Sequence, residues 1–322
     1  MPTDRSLAAL AAVGGGAILA LQSRTNGSLA QSLGTLPAAL TSFGSGLIVL
    51  SLALGSSRFR QRVRRIAVAV RSGSLPRWQL FGGVAGGLFV GTQAYVVPLV
   101  GVATFLVAVV GGQMVSAVIV DHRGIGPAGP VAVSAGRAAS AAVAVAGVAI
   151  TASSTPAGRP LVVLPVLFAF LVGLAATVQS ATNGRVTMAT RDPFATAWLN
   201  FSTGTATVLL LTGVVALTGT GLGAATAAPG GVAAAALPAW LWTGGLQGIG
   251  AIALSAWAVQ HTGVLTFGLS MVTGQLATAL VLDASLAATR SRVTAQALAG
   301  VLVVLAAAVW SARSARSLDS AP

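Results

Sequence analysis

The sequence predicts an all-α, polytopic membrane protein, with ten transmembrane helices arranged as two inverted five-helix repeats. Three observations predict it. Hydrophobic residues make up 55% of the 322 residues and charged residues only 7%, in successive apolar runs of roughly 20 residues, the length that crosses a bilayer as a helix. Polar segments recur in order about half a chain apart: Gln22-Ser23-Arg24-Thr25-Asn26-Gly27 returns as Gln179-Ser180-Ala181-Thr182-Asn183-Gly184. Arginines crowd one loop and are missing from its counterpart in the second half, which assigns the two copies opposite orientations.

The spans run approximately Leu7–Asn26, Leu33–Leu54, Gln79–Val97, Val102–Asp121, Val131–Thr151, Leu161–Asn183, Ala195–Leu217, Pro238–Gln260, Val264–Asp283 and Val293–Ala312. The first resembles a signal peptide, with Arg5 ahead of an apolar run. Its internal counterpart, which ends at Gln179–Asn183, makes it a retained helix instead. The echo continues: Phe43 and Gly46 recur as Phe201 and Gly204, Trp78 with Gly82-Gly83 as Trp240 with Gly244-Gly245, Gly112-Gln113 as Gly274-Gln275, and Asp121 as Asp283. The halves, 1–155 and 156–322, meet in Ala152–Pro160, where Ser153-Ser154-Thr155-Pro156 and Gly158-Arg159-Pro160 supply turn chemistry. They form one integral unit, because each must bury polar and glycine-lined faces against the other.

The formal net charge is +13 and all eighteen basic residues are arginine. The loop Gly55–Arg77 carries Arg58, Arg60, Arg62, Arg64, Arg65, Arg71 and Arg77, so it is expected in the cytoplasm; its counterpart Thr218–Leu237 has no charge. An odd number of spans per repeat requires this inversion. Both termini are then cytoplasmic, with fourteen arginines inside and Arg24, Arg159, Arg290 and Arg292 outside. Arg290 and Arg292 dissent locally from the bias. The arginine-rich loop reads first as a solvated topology signal and second as an interfacial amphipathic helix around Phe59, Val63 and Ile66.

Several classes are set aside by composition. Membrane spans leave no basic face for nucleic acid. With no cysteine, no glutamate and two histidines, the chain has no thiolate chemistry and little from which to build a metal cage. There is no lysine for a phosphate-binding loop, so transport is not ATP-driven. His122 and His261 sit at span ends without converging acids, and neither a catalytic site nor a cofactor is implied. The small-residue patterns Gly82/Gly86, Gly83/Gly87/Gly91, Gly244/Gly248 and Gly245 favour close helix packing within the chain, with homodimerisation as an alternative use.

Polar side chains inside the bilayer are candidates for function because they are costly unless partnered. Gln22 with Asn26, and Gln179 with Asn183, share a helix face at i, i+4. They are read either as gating elements at the two mouths of a pathway or as helix-end hydrogen bonding, since Gly27 and Gly184 look like C-caps. Gln113 and Gln275 lie near the middle of their spans, each three residues before Ser116 or Thr278. There an amide can orient a polar solute or bond neighbouring helices. Gln93, Tyr95, Asn200 and Trp257 are further substrate-binding candidates, with Trp198 beside them; packing is the alternative for each. Asp121 and Asp283 are the only carboxylates attached to spans, and are read either as proton-coupling groups or as solvated boundary charges.

Ten spans, five-helix inverted halves and the paired Gln-x-x-x-Asn-Gly segments resemble the drug/metabolite transporter superfamily, most closely its YdcZ-type branch, over nearly the whole chain. The resemblance implies a bundle with a central cavity, alternating access, a small-molecule substrate and a bacterial inner-membrane location. A secondary exporter of a small metabolite or amphipathic solute is thus expected, ahead of a passive channel and a membrane enzyme.

Overall fold

The computed structural model describes residues 2–126, 129–130, 132–153, 163–218, 236–285 and 290–319, except for the side chains of 2–5, 256–257, 259–266 and 315–319. Among these residues the regular structure is all helical: α1 (Pro2–Leu33), α2 (Thr35–Leu52), α3 (Ser57–Arg71), α4 (Gly82–Val100), α5 (Val102–His122), α6 (Ala135–Ala152), α7 (Val163–Thr190), α8 (Pro193–Thr218), α9 (Gly244–Ser285) and α10 (Ala295–Asp319). Nine helical segments among the described residues are long and apolar enough to cross a membrane. The expected span Pro238–Gln260 falls in the first part of α9, and its far end lies outside the described side chains.

α9 is 42 residues long, about twice what one crossing needs. Ser255 Oγ nevertheless lies 3.8 Å from Met271 Sδ, sixteen residues on, where a straight helix would separate them by about 24 Å. The two ends of α9 therefore run back beside each other. Both rest on α1, where Gly15 meets Ser255 and Gly16 meets the Met271 carbonyl. Elsewhere glycine makes the reversals. Gly34 (φ 92) separates α1 from α2 and Gly101 (φ 88) separates α4 from α5, values that side chains beyond hydrogen disfavour.

The packings that join the first half of the sequence to the second pair α1 with α9, α5 with α7, α6 with α10, α2 with α8, and α4 with α7 and α8, while α5 packs on α6 and α1 on α4 within the first half. α5 is the centre: Phe105, Leu106, Val107, Ala108 and Val109 are all 0% exposed, as expected of a helix that is apolar on every side.

Lipid tails are as apolar as leucine, so helices in a bilayer are held by contact and shape rather than by escape from water. Glycine permits that contact here, and it does so in reciprocal pairs. At the α2–α8 crossing, a Cβ on Gly46 would strike the Phe201 ring and one on Gly204 would strike the Phe43 ring. The two rings lie 5.1 Å apart, tilted 45°. At α5–α7, Gly112 faces the Phe170 carbonyl and Gly173 the Val109 carbonyl; at α9–α1, Gly274 faces the Val13 carbonyl and Gly16 the Met271 carbonyl. On α4, Gly83 and Gly87 pack on the backbone of α8, while Gly91 faces open space.

Two local expectations are corrected. Gly27 and Gly184 are not C-caps, because α1 runs on to Leu33 and α7 to Thr190. Gly27 is needed for space: a Cβ there would sit 2.7 Å from Val97 Cγ1 of α4. The arginine-rich segment is not simply a solvated signal. Residues Ser57–Arg71 form a helix that buries Phe59, Ile66 and Ala69. Arg62 pairs with Asp192, Arg65 donates to the Thr190 carbonyl at 3.1 Å, and Arg60 donates to the Leu54 and Gly55 carbonyls at 2.6 and 2.9 Å. These bonds fasten α3 to the end of α2 and to the α7–α8 turn.

Gly46→Ala is expected to destabilise the detergent-solubilised protein by about 1–3 kcal/mol through overpacking against Phe201, seen as a lowered melting temperature. Gly91→Ala, which meets nothing, should leave the melting temperature within error of the wild type.

Candidate functional site

α1 and α4 are joined by a buried amide network whose polarity is fixed by the backbone. Ser23 Oγ donates to the Leu19 carbonyl at 2.9 Å, so toward Gln93 it can only accept. Gln93 Nε2 accordingly donates to Ser23 Oγ at 2.7 Å. That turns Gln93 Oε1 toward Asn26, whose Nδ2 donates to it at 2.8 Å. Asn26 Oδ1 is left buried without a partner, as is Ser42 Oγ on α2. Both oxygens face the start of α9: a Cβ on Gly244 would lie 2.6 Å from Asn26 Oδ1 and 2.8 Å from Ser42 Oγ. Gln22 Nε2 donates to the Gly244 carbonyl at 2.9 Å. Of these unsatisfied groups Asn26 Oδ1 can only accept, whereas the Ser42 hydroxyl can accept or donate, so water or a solute hydroxyl or amine could satisfy both.

The equivalent segment on α7 makes a second network with α8. Gln179 Nε2 donates to Asn200 Oδ1 at 3.0 Å, and Asn200 Nδ2 donates to Asn183 Oδ1 at 3.0 Å. Thr182 Oγ1 closes back on the Gln179 carbonyl at 2.9 Å. Because α1 and α7 extend past their glycines, Gln22 and Gln179 lie within one turn of the middle of the apolar segments Ser6–Leu33 and Val163–Thr190, and Asn26 and Asn183 lie about 10 Å from it.

The two networks differ in exposure. Gln22, Ser23, Thr25, Asn26 and Gly27 are all buried, with Ser23 and Asn26 at 0%. Of their counterparts only Thr182 is buried; Gln179, Asn183 and Gly184 are half-buried and Ser180 is exposed.

The other expected residues are dispersed. Gln93 is fully buried and committed to the α1–α4 network. Asn200 is committed to the α7–α8 network. Gln113 is half-buried on α5, where its main-chain carbonyl accepts from Thr177 Oγ1 at 3.2 Å. Gln275 is 3% exposed on α9. Each follows the glycine that lets its helix cross a partner, α7 for Gln113 and α1 for Gln275. Tyr95 is half-buried with its ring 6.5 Å from that of Phe168, and Trp198 Nε1 donates to Ser51 Oγ at 3.2 Å. The Trp257 side chain lies outside the described residues.

The spanning carboxylates serve helix ends. Asp283 is 2% exposed, so the solvated-boundary reading is corrected for it. It accepts from the amides of Val102 and Ala103 at 3.2 and 2.8 Å, the unpaired donors that open α5. On the same turn Arg292 donates to the Val97 and Pro98 carbonyls at 3.4 and 2.9 Å, closing α4. Arg292 departs from the charge bias because it caps a helix. Asp121 pairs with Arg137 of α6, keeping 40% of its side chain exposed. Asp192, at the start of α8, accepts from the Phe194 and Ala195 amides at 2.7 and 3.1 Å while holding Arg62.

Sequence reading did not single out Ser23, Ser42 or Gly244 as members of the site. Ser23 lies within the repeated segment itself, between Gln22 and Asn26. Ser42 and the Gly244 carbonyl carried no signal, because an isolated hydroxyl and a backbone oxygen look the same wherever they fall.

Apolar helices long enough to span a bilayer that hold amide networks at depth define a polytopic membrane protein. The family model described as "Putative inner membrane exporter, YdcZ" matches the chain over residues 7–150 and 164–310. The chain belongs to this family of the drug/metabolite transporters. No curated protein matches it.

Gln93→Leu strands the Asn26 amide and should cost about 1–3 kcal/mol of stability, measured as a fall in melting temperature. Ser42→Ala removes a hydroxyl that makes no bond and should be neutral or slightly stabilising in the same measurement.

Proposed function

We propose that the protein is a secondary exporter that carries a small polar or amphipathic metabolite by alternating access between two sequence-equivalent gates. The observation that carries this reading is the unequal burial of the repeated segment. The Gln22–Asn26 copy is sealed against α4 and α9, whereas the Gln179–Asn183 copy is open to solvent or lipid along Gln179, Ser180 and Asn183. Identical chemistry in two states of closure is what one conformation of a two-gate carrier presents. Exchange of the two states would carry a bound solute from one side to the other.

The halves 1–155 and 156–322 are an inverted repeat in this reading. It is supported by the reciprocal crossings of Gly46 with Gly204, Gly112 with Gly173 and Gly16 with Gly274, in which Gly112 and Gly274, and Gly16 and Gly173, are sequence equivalents, and by the two segments in which the family model matches. The open gate shares its face with α3 and its arginines, through Asp192 and Thr190. The charge bias therefore puts that gate, and both termini, in the cytoplasm. Gln22, Asn26, Gln179 and Asn183 are the gate residues. Gln93 and Asn200 are the amides that lock each gate, and Gln113, Gln275 and Tyr95 are the candidates for contact with the solute. Asp121, still partly exposed, is the better placed of the two carboxylates to exchange a proton, because Asp283 is enclosed at the α5 terminus.

The chain has no cysteine, so single cysteines report without background. In inside-out vesicles, Ser180→Cys should react with a membrane-impermeant maleimide at least tenfold faster than Ser23→Cys. Equal rates from both, or faster labelling of Ser23→Cys, would overturn the two-gate reading.

A further inference from the structure

α3 carries more positive charge than the protein can neutralise. Of its arginines, Arg62 is taken by Asp192, Arg65 by the Thr190 carbonyl, and Arg60 by the carbonyls that end α2. Arg58 is exposed near the start of the helix, and Arg64 and Arg71 are exposed further along it; no described carboxylate pairs with any of the three. Acidic residues number five in the whole chain. The three whose side chains are described are committed to Arg137, to Arg62 with the α8 amides, and to the α5 amides.

Beside Arg64 and Arg71 runs an apolar groove of about 390 Å³, lined by Val63, Ile66, Ala67, Val70, Leu80, Trp198 and Leu199, with Arg71 as its one charged wall. The α3 residues in the lining are spaced i, i+3, i+4, i+7, a single helical stripe. Arg64 and Arg71 each follow a stripe residue and are one heptad apart, so they share one side of α3 about 10 Å from each other, with Arg71 in the groove wall and Arg64 next to its Val63 end. Trp198 and Leu199 lie five and six residues into α8, about 8 Å below the turn that Arg62 and Arg65 grip. The groove thus descends from the level of helix ends, where lipid headgroups lie, into the hydrocarbon.

We propose that this groove is a binding site for an anionic phospholipid, whose acyl chain occupies the apolar stripe and whose phosphate is held by Arg64 and Arg71. A guanidinium pair selects phosphate by paired N–H donors. The apolar wall selects a chain that free phosphate lacks. A bound lipid would brace α3, and through Arg62 and Arg65 the α7–α8 turn, at the end of the helix that carries Ser180 ten residues earlier.

The test uses purified full-length protein in neutral detergent, with phosphatidylglycerol, phosphatidylcholine or glycerol phosphate added. Melting is followed by tryptophan fluorescence and retained lipid by native mass spectrometry. Phosphatidylglycerol should raise the melting temperature at least twice as far as phosphatidylcholine and should remain bound as one retained molecule. Arg64→Gln/Arg71→Gln should abolish that preference while keeping the response to phosphatidylcholine. Ala67→Phe, an exposed position that fills the groove, should lose the retained lipid. All three positions are solvent-facing, so the variants should fold, and the melting temperature without lipid checks it. Equal shifts with the two lipids, an unchanged preference in the double variant, or an equal shift with glycerol phosphate would each overturn the proposal.

Discussion

A polar group inside a bilayer has no water to fall back on, and the protein is arranged around that fact. The α4–α5 turn shows it most directly. Reversing the chain at Gly101 leaves open carbonyls at the end of α4 and open amides at the start of α5. Arg292 answers the first and Asp283 the second. Asp192 does the same for α8, and Arg185 donates to the Gly124 and Ile125 carbonyls where α5 ends. Few charges are available in so apolar a chain, and those attached to the helices mostly close helix ends.

The same constraint explains why the amides occur in linked sets. An isolated glutamine at mid-membrane would strand two donors and two acceptors, whereas Gln93 is satisfied by Ser23 and Asn26 and Asn200 by Gln179 and Asn183. Each bond is worth only about 1 kcal/mol net, so a set of this kind can be exchanged for another at modest cost. Glycine crossings supply the complementary rigidity. Helices whose backbones touch are fixed in position, which confines any motion to the segments joined by side-chain amides. Firm crossings beside exchangeable locks suit the proposed two-gate carrier.

The lipid groove follows from the remaining imbalance. α3 buries Phe59, Ile66 and Ala69 but leaves an apolar groove along Val63, Ala67 and Val70, and among its arginines only Arg62 pairs with a described acid. The surrounding bilayer supplies the chemistry that the chain leaves out. This ties the proposed site to the open gate, because α3 is fastened to the turn at that gate's end of the bundle.

Much of this was legible in the sequence. The apolar runs, the repeated Gln-x-x-x-Asn-Gly segment and the arginine asymmetry determined a helical membrane protein of the transporter class by themselves, since length, hydropathy and charge bias act locally along the chain. The glycines that allow crossings were also visible, although which helix each one meets was not. Only the tertiary structure decided that Gly27 serves a neighbour rather than ending α1, that Gln93 locks two helices, and that Asp283 caps a helix with which it shares no nearby sequence. It also decided that two copies of one segment differ in burial. Those outcomes depend on which surfaces meet across the two halves, and a periodic pattern records a residue's own face but not the partner that covers it.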